Sequence, residues 1–221
     1  MIHPVKNLIG LKIHAIDGEI GKVTDFYFDN VTYTVRYLVV ETGSFLFSRE
    51  IMLSTQSLVP SDFEKEGFMT NLTIQQIENC PHADTKRRIA DVEEEVRLLT
   101  YYKLKNYRNI FDVAVETAVT EKHPASLHSV NEITEMEVSC TDANVGKVRD
   151  VLVDGKSWKI NHLIVDAFKI SGKEVLIPTS SLSELKPNNS FLLVNLSSEE
   201  IANKPEYFSD QLIDMDGVKK K

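Results

Sequence analysis

The 221-residue sequence has only two cysteines, no long apolar run and no excess of positive charge. Each shortage excludes something. Cys80 and Cys140 stand alone and far apart, so they make neither a disulfide framework nor a zinc site. They read as reduced packing residues of a cytosolic protein. Phe191-Leu192-Leu193-Val194 is among the longest apolar runs, whereas a membrane-spanning helix needs roughly 18 such residues. The N-terminus lacks a charged start, an apolar stretch and a small-residue cleavage site, so the expectation is a cytoplasmic protein without a transmembrane segment. With 33 acidic against 25 basic residues the net charge is −8, and no nucleic-acid partner is expected. What is present is a 42% apolar fraction supplemented by nine glycines. That is enough for a packed core and excludes wholesale disorder.

The sequence contains its own copy. Residues 17–42, DGEIGKVTDFYFDNVTYTVRYLVVET, align without a gap with residues 142–167, DANVGKVRDVLVDGKSWKINHLIVDA, at an offset of 125. Eight of these 26 positions are identical, and pairs such as Tyr33/Trp158, Val35/Ile160 and Glu41/Asp166 are of one class. After one residue is dropped, 49–58 aligns with 173–182 and 71–81 with 195–205. Ordered blocks at nearly one offset indicate a tandem duplication. The repeats are placed at 1–81 and 126–208, with a connection at 82–125 and a tail at 209–221.

Val, Ile, Phe and Tyr clusters bounded by turn residues predict strands. In the first copy these are 11–15, 22–28, 35–41, 50–53 and 68–72. In the second they are 136–140, 147–153, 160–167, 174–177 and 191–196. Turns are expected at Asp17-Gly18, Asp29-Asn30 and Asp154-Gly155, because glycine accepts positive φ without steric cost. Five or six short strands per copy predict a mainly β fold of two small barrels, closed or partly closed, which would remove exposed sheet edges. Thr73-Ile74-Gln75-Gln76 and Ser197-Ser198-Glu199-Glu200 each predict a capping box opening a short helix that buries Ile77 or Ile201. Pro81 and Pro205 end it.

The connection reads as one long helix over about 84–109. It has no glycine or proline, and Ile89, Val92, Val96 and Leu99 recur along one face. That stripe must be covered, either by a barrel or by a second helix in a homodimer. Lys86, Arg87 and Arg88 form the densest basic cluster, and Tyr102 lies in an aromatic-rich end with Tyr101, Tyr107 and Phe111. The candidate protein-interaction residues are therefore Ile89, Val92, Val96, Leu99, Tyr102, Lys86, Arg87 and Arg88. The connection carries eight charges of each sign, and each repeat about −4, so an anionic partner would meet the connection rather than a barrel.

The ordered motifs D-G-x-I-G-K-V (17–23), V-R-Y-L-V-V-E (35–41) and I-M-L-S-x-x-x-L (51–58) resemble the PRC-barrel family. In the second copy V-G-K-V-x-D-V-L-V-D (145–154), I-N-H-L-I-V-D (160–166) and V-L-I-P-x-x-x-L (175–182) do the same. That family is named for the cytoplasmic barrel of the photosynthetic reaction centre H subunit. It includes the C-terminal domain of the bacterial small-subunit ribosome maturation factor. The first copy has Ser54 where the second keeps Pro178. The resemblance covers most of both repeats but not the linker helix, and it implies a bacterial tandem of SH3-like barrels. It also implies an adaptor role in protein complexes, and no conserved reaction.

The sequence shows no enzymatic constellation. Gly18-Glu19-Ile20-Gly21-Lys22 lacks the spacing of a phosphate loop, and Asp142, Asn144 and Gly146 lack the glutamate that completes a calcium loop. The six histidines share no metal-ligand spacing. The matched acids Asp17/Asp142, Asp25/Asp150, Asp29/Asp154 and Glu41/Asp166 fit strand-end turn roles. The expectation is thus a non-enzymatic adaptor or scaffold, with no catalytic residue, no cofactor and no metal, acting on protein partners or on itself. Two alternatives remain: a ribosome-associated assembly factor, and an electron-transfer-associated or small-molecule-binding module.

Overall fold

The computed structural model describes residues 1–43, 49–60, 67–80, 92–104, 126–186 and 190–208. In chain order the first part holds β1 (Ile2–Pro4), β2 (Lys12–Ala15), β3 (Gly18–Asp29), β4 (Val35–Thr42), β5 (Arg49–Ser54), β6 (Leu58–Val59), β7 (Phe68–Thr70), α1 (Ile74–Glu78) and α2 (Val92–Tyr101). The second part holds β8 (Leu127–Ser129), α3 (Val130–Ile133), β9 (Glu137–Ser139), β10 (Asn144–Asp154), β11 (Ile160–Asp166), α4 (Phe168–Ser171), β12 (Glu174–Pro178), β13 (Leu182–Lys186), β14 (Phe191–Val194) and α5 (Ser198–Ala202). Every predicted strand is present, with shifted ends.

The strands form two seven-stranded sheets of one design. One runs β5-β4-β3-β2-β7-β6 with β8 on β3; the other runs β12-β11-β10-β9-β14-β13 with β1 on β10. Each contains a matching parallel pairing, β2 with β7 and β9 with β14. The expected closure is corrected: among the described residues no pairing joins the ends of either path. The end strands are instead consecutive in sequence. A single 3₁₀ turn, Thr55–Ser57 or Thr179–Ser181, carries the chain from β5 to β6 and from β12 to β13.

The chain folds as two compact units that are not continuous in sequence. One comprises Gly10–Val31 and Arg36–Leu127; the other comprises Met1–Ile9, Thr32–Val35 and His128–Lys221. In the first, Phe26, Phe28, Tyr37, Leu38, Leu53 and Phe68 are buried, and Phe26 meets Phe68 edge to face at 6.4 Å. In the second, Val151, Val153, Leu163, Val165, Ile177 and Ile201 are buried. A smaller cluster of Ile2, Leu152, Ile164, Leu176 and Tyr207 also forms there. Residues 150–154 of β10 are all buried: Leu152 packs in that smaller cluster, while Val151 and Val153, which point to the opposite face, are fully covered too. This explains an unbroken apolar run where a one-sided strand would alternate.

Both capping boxes form: Thr73 with Gln76, and Ser197 with Glu200. The linker helix is corrected at its C-terminal end. Its described part is Val92–Tyr101, not a helix running to 109. Lys103 adopts φ +55; its N–H bonds to the Thr100 carbonyl, and the Leu104 N–H reaches back to Leu99 at 2.9 Å. That is a Schellman termination with lysine in the place usually held by glycine, so no glycine marked it in the sequence. Residues 84–91 and 105–109 lie outside the described ones.

Candidate interaction site

Two of the places where segments distant in sequence meet bear on an interaction site. The first is where α2 meets the unit built largely by the first repeat. Leu98, Leu99 and Tyr102 are buried, while Val96 and Tyr101 are 39% and 37% exposed. The Tyr101 hydroxyl donates to the Gln76 carbonyl at 2.9 Å, which ties the end of α2 to α1. Arg49 donates from its guanidinium to the carbonyls of Glu78 and Cys80, so a β5 cation holds the exit of α1. This arrangement follows the preference of positive charge for a helix C-terminus. The Tyr102 hydroxyl faces the Cys80 thiol. Burial raises both groups above their usual pKa, and the Tyr102 contact partly offsets the rise at Cys80. Sulfur is a weak acceptor, which leaves that hydroxyl without a strong partner among the described residues.

The eight sequence-derived candidates therefore separate. Leu99 and Tyr102 are anchors buried in their own unit, and Val96 lies on the exposed side. Val92 is the first residue of the described helix. Lys86, Arg87, Arg88 and Ile89 lie outside the described residues. Arg49 did not stand out in the sequence, because it aligns with Lys173 and looks like any strand-end cation.

The second place is the docking of residues 1–9 in the unit built largely by the second repeat. β1 pairs antiparallel with the end of β10, Ile2 opposite Asp154 and Pro4 opposite Leu152. β9 takes the other end of the same edge, at Asn144–Lys147. Asp150 stands between these stretches, 3% exposed. Its carboxylate accepts the Lys6 N–H at 3.2 Å and the Val151 N–H at 2.8 Å. Burial pushes its pKa up to about 6, against the pull of those two N–H groups and the Lys6 charge. The Lys6 ammonium also sits 6.0 Å from the ring centre of Tyr207. The available signal was an aspartate inside an apolar strand, which must find donors.

Most of the other matched acids also serve the backbone. Asp17 and Asp142 each accept an N–H at the start of a short helix, from Ile74 and Ser198, both at 2.8 Å. The Cys140 thiol and Ser198 hold the Asp142 carboxyl below its usual pKa. Asp29 and Asp154 each accept from the residue two positions on, at 3.2 Å. Asp25 accepts from Phe26 at 2.7 Å. Glu41 pairs with Lys22 at 3.0 Å, and Asp166 with Arg149 at 2.7 Å.

Gly21 and Gly146 have a steric role. A Cβ on Gly21 would lie 2.1 Å from the Glu41 carbonyl oxygen, and one on Gly146 1.8 Å from that of Asp166. The glycines permit close strand approach; both belong to strands, β3 and β10. His162 and its counterpart Tyr37 are ring positions on the sheets; burial, with the nearby Lys204 charge, lowers the His162 pKa. Among the described residues no three His, Cys, Asp or Glu gather to hold a metal ion, and no helix is long and apolar enough to cross a membrane.

No curated protein matches the chain. The PRC-barrel domain model matches it twice, over residues 2–70 and 127–201. Those segments contain the two sets of matched strands and turns, and on that evidence the chain belongs to the PRC-barrel domain family.

Proposed function

We propose that this tandem PRC-barrel protein is a non-enzymatic cytoplasmic adaptor, and that the exposed side of α2 is where a protein partner binds. The reading is carried by the employment of the acids that recur in both copies. Asp17, Asp25, Asp29, Asp142, Asp150 and Asp154 all accept backbone N–H groups, so the duplication repeats structure-making roles. The adaptor role implied by the family resemblance agrees with this. On α2, Leu98, Leu99 and Tyr102 anchor the helix and the Tyr101 hydroxyl ties it to α1, which leaves Val96 and the exposed part of the Tyr101 ring to an outside contact. Aromatic and aliphatic side chains of that kind suit interface cores. Free thiols at Cys80 and Cys140 suit a reducing compartment.

The test is recovery of partners from extract of the native organism with tagged full-length protein, wild type against Val96→Glu. A surface change of this kind alters stability by about 0.5 kcal/mol or less, so the variant should unfold with the wild type. It should lose a partner that the wild type holds in stoichiometric amount. Recovery of the same partner at the same level by the variant would remove α2 from the contact. Failure of the wild type to hold any stoichiometric partner would sink the adaptor reading.

A further inference from the structure

The docking of residues 1–9 has a property that reaches beyond the adaptor reading and does not depend on it. Its bonds occur twice, displaced by the repeat offset of 125. The Gly155 N–H donates to the Met1 carbonyl at 3.0 Å, and the Asn30 N–H donates to the Ser126 carbonyl at 3.1 Å. β1 pairs with β10, and β8, its counterpart, pairs with β3. Each repeat thus gives its first strand to the sheet built by the other. The turns that follow also agree: Ile9 N–H to Val5 at 3.2 Å and Thr134 N–H to Val130 at 3.0 Å.

A second contact is reciprocal. Thr34 forms an isolated antiparallel bridge with Lys159, and these two residues are each other's counterparts at the same offset. The Val35 N–H donates to the Trp158 carbonyl at 2.8 Å, and the Ile160 N–H donates to the Tyr33 carbonyl at 2.7 Å. Residue i meets j, and the counterpart of j meets the counterpart of i. That is the defining property of an isologous contact, the kind made by two identical chains around a two-fold axis. Tyr33 and Trp158 even share a left-handed backbone, φ +54 and +59, so both sides meet with the same loop shape. None of these bonds uses residues 82–125.

We propose that the same contacts form between two copies of this chain, so that a second copy is a partner and the product is a strand-exchanged dimer. Residues 1–9 and 32–35 of one copy would take their places on residues 150–160 of the other. Every bond broken in opening one chain is remade in the pair, which is why such exchange costs little. The covalent connection decides only whether the two halves that meet belong to one molecule or to two.

The experiment uses two full-length variants, Thr34→Cys and Lys159→Cys. They are unfolded together, refolded together, oxidised and digested. The expected result is a covalent heterodimer whose peptide map contains a disulfide joining positions 34 and 159. It should be absent when either variant is refolded alone. The double variant Thr34→Cys/Lys159→Cys is the companion, and it should form the same link within a single chain. If the double variant links but the co-refolded mixture does not, exchange between copies is overturned. If the double variant folds without linking, the reciprocal contact itself is overturned, and the proposal with it. Should a cysteine variant fail to fold, native mass spectrometry of ¹⁵N-labelled and unlabelled wild type refolded together decides the matter. A mixed dimer supports the proposal, and monomers alone overturn it.

Discussion

The two repeats differ most where they are covalently equivalent but chemically free to diverge. In the second, Arg149 bonds both Glu135 at 2.8 Å and Asp166 at 2.7 Å, and Lys147 lies 3.5 Å from Glu135. In the first, Gly10 and Thr24 occupy the places of Glu135 and Arg149, and the Lys22–Glu41 pair remains. Yet the backbone is the same. Gly10 and Glu135 have φ +83 and +73, and both donate at 2.8 Å to the matched carbonyls of Val23 and Val148. The pair Ser54/Pro178 teaches the same lesson. Ser54 reaches φ −67 and caps the next turn with its hydroxyl, whereas Pro178 reaches φ −68 through its ring and makes no side-chain cap. Side chains at these places are alternative means to one conformation.

The comparison breaks most readily at Gly21 and Gly146. Alanine at either forces a Cβ into a carbonyl oxygen, and overpacking of this kind costs about 1–3 kcal/mol. Urea unfolding should show both variants strongly destabilised. Gly146→Ala should be the worse, since Gly146 also has φ +150. Equal stability of Gly21→Ala and wild type would dissolve the structural equivalence of the two glycines.

Asp150 gives a pH-dependent difference. Its folded pKa of about 6 lies above the ordinary 3.8, so between those values the native state holds a proton that the unfolded chain has released. Stability from this group is therefore full below about pH 4 and declines as pH rises through 6. The loss is at most about 3 kcal/mol, from roughly 1.4 kcal/mol for each pH interval of one between the two values. Asp150→Asn should flatten the stability profile between pH 4 and 6; an unchanged slope would show that the buried carboxyl is not its source.

Thr73→Ala and Ser197→Ala should each cost about 1 kcal/mol through the lost cap. Thermal melts of the two variants should fall together; unequal losses would show that one short helix matters more to its unit. Smallest of all is Glu135→Gly. It relieves a left-handed glutamate, worth about 1 kcal/mol, and removes exposed ion pairs worth up to about the same. Calorimetry should find a net change near zero, which is why both residues are tolerated at this place.

The strands were legible because β-branched and aromatic residues cluster between turn residues, and the capped helices because Thr73/Gln76 and Ser197/Glu200 carry their own hydrogen-bond logic. The end of α2 was not legible, since Lys103 adopts a conformation that no glycine announced. The docking of residues 1–9 was hidden for a different reason. Ile2 and Leu127, like His3 and His128, match at the repeat offset and are all buried. Local preference is then the same for either sheet, and only tertiary structure selects one. On α2 the periodicity marked an apolar face, but one-dimensional spacing does not separate Leu99, buried in its own unit, from Val96, left outside.

The exchanged first strand also fixes an order of events during synthesis. Met1–Ile9 leave the ribosome well before the edge they complete, at Leu152–Asp154, which is made some 150 residues later. At about 5–20 residues per second that is a wait of roughly 8–30 s. For most of that interval β3 likewise lacks β8. The nascent chain thus carries an unpaired strand and an unpaired sheet edge at once, and residues 1–9 fold only after most of the residues that follow them have been made.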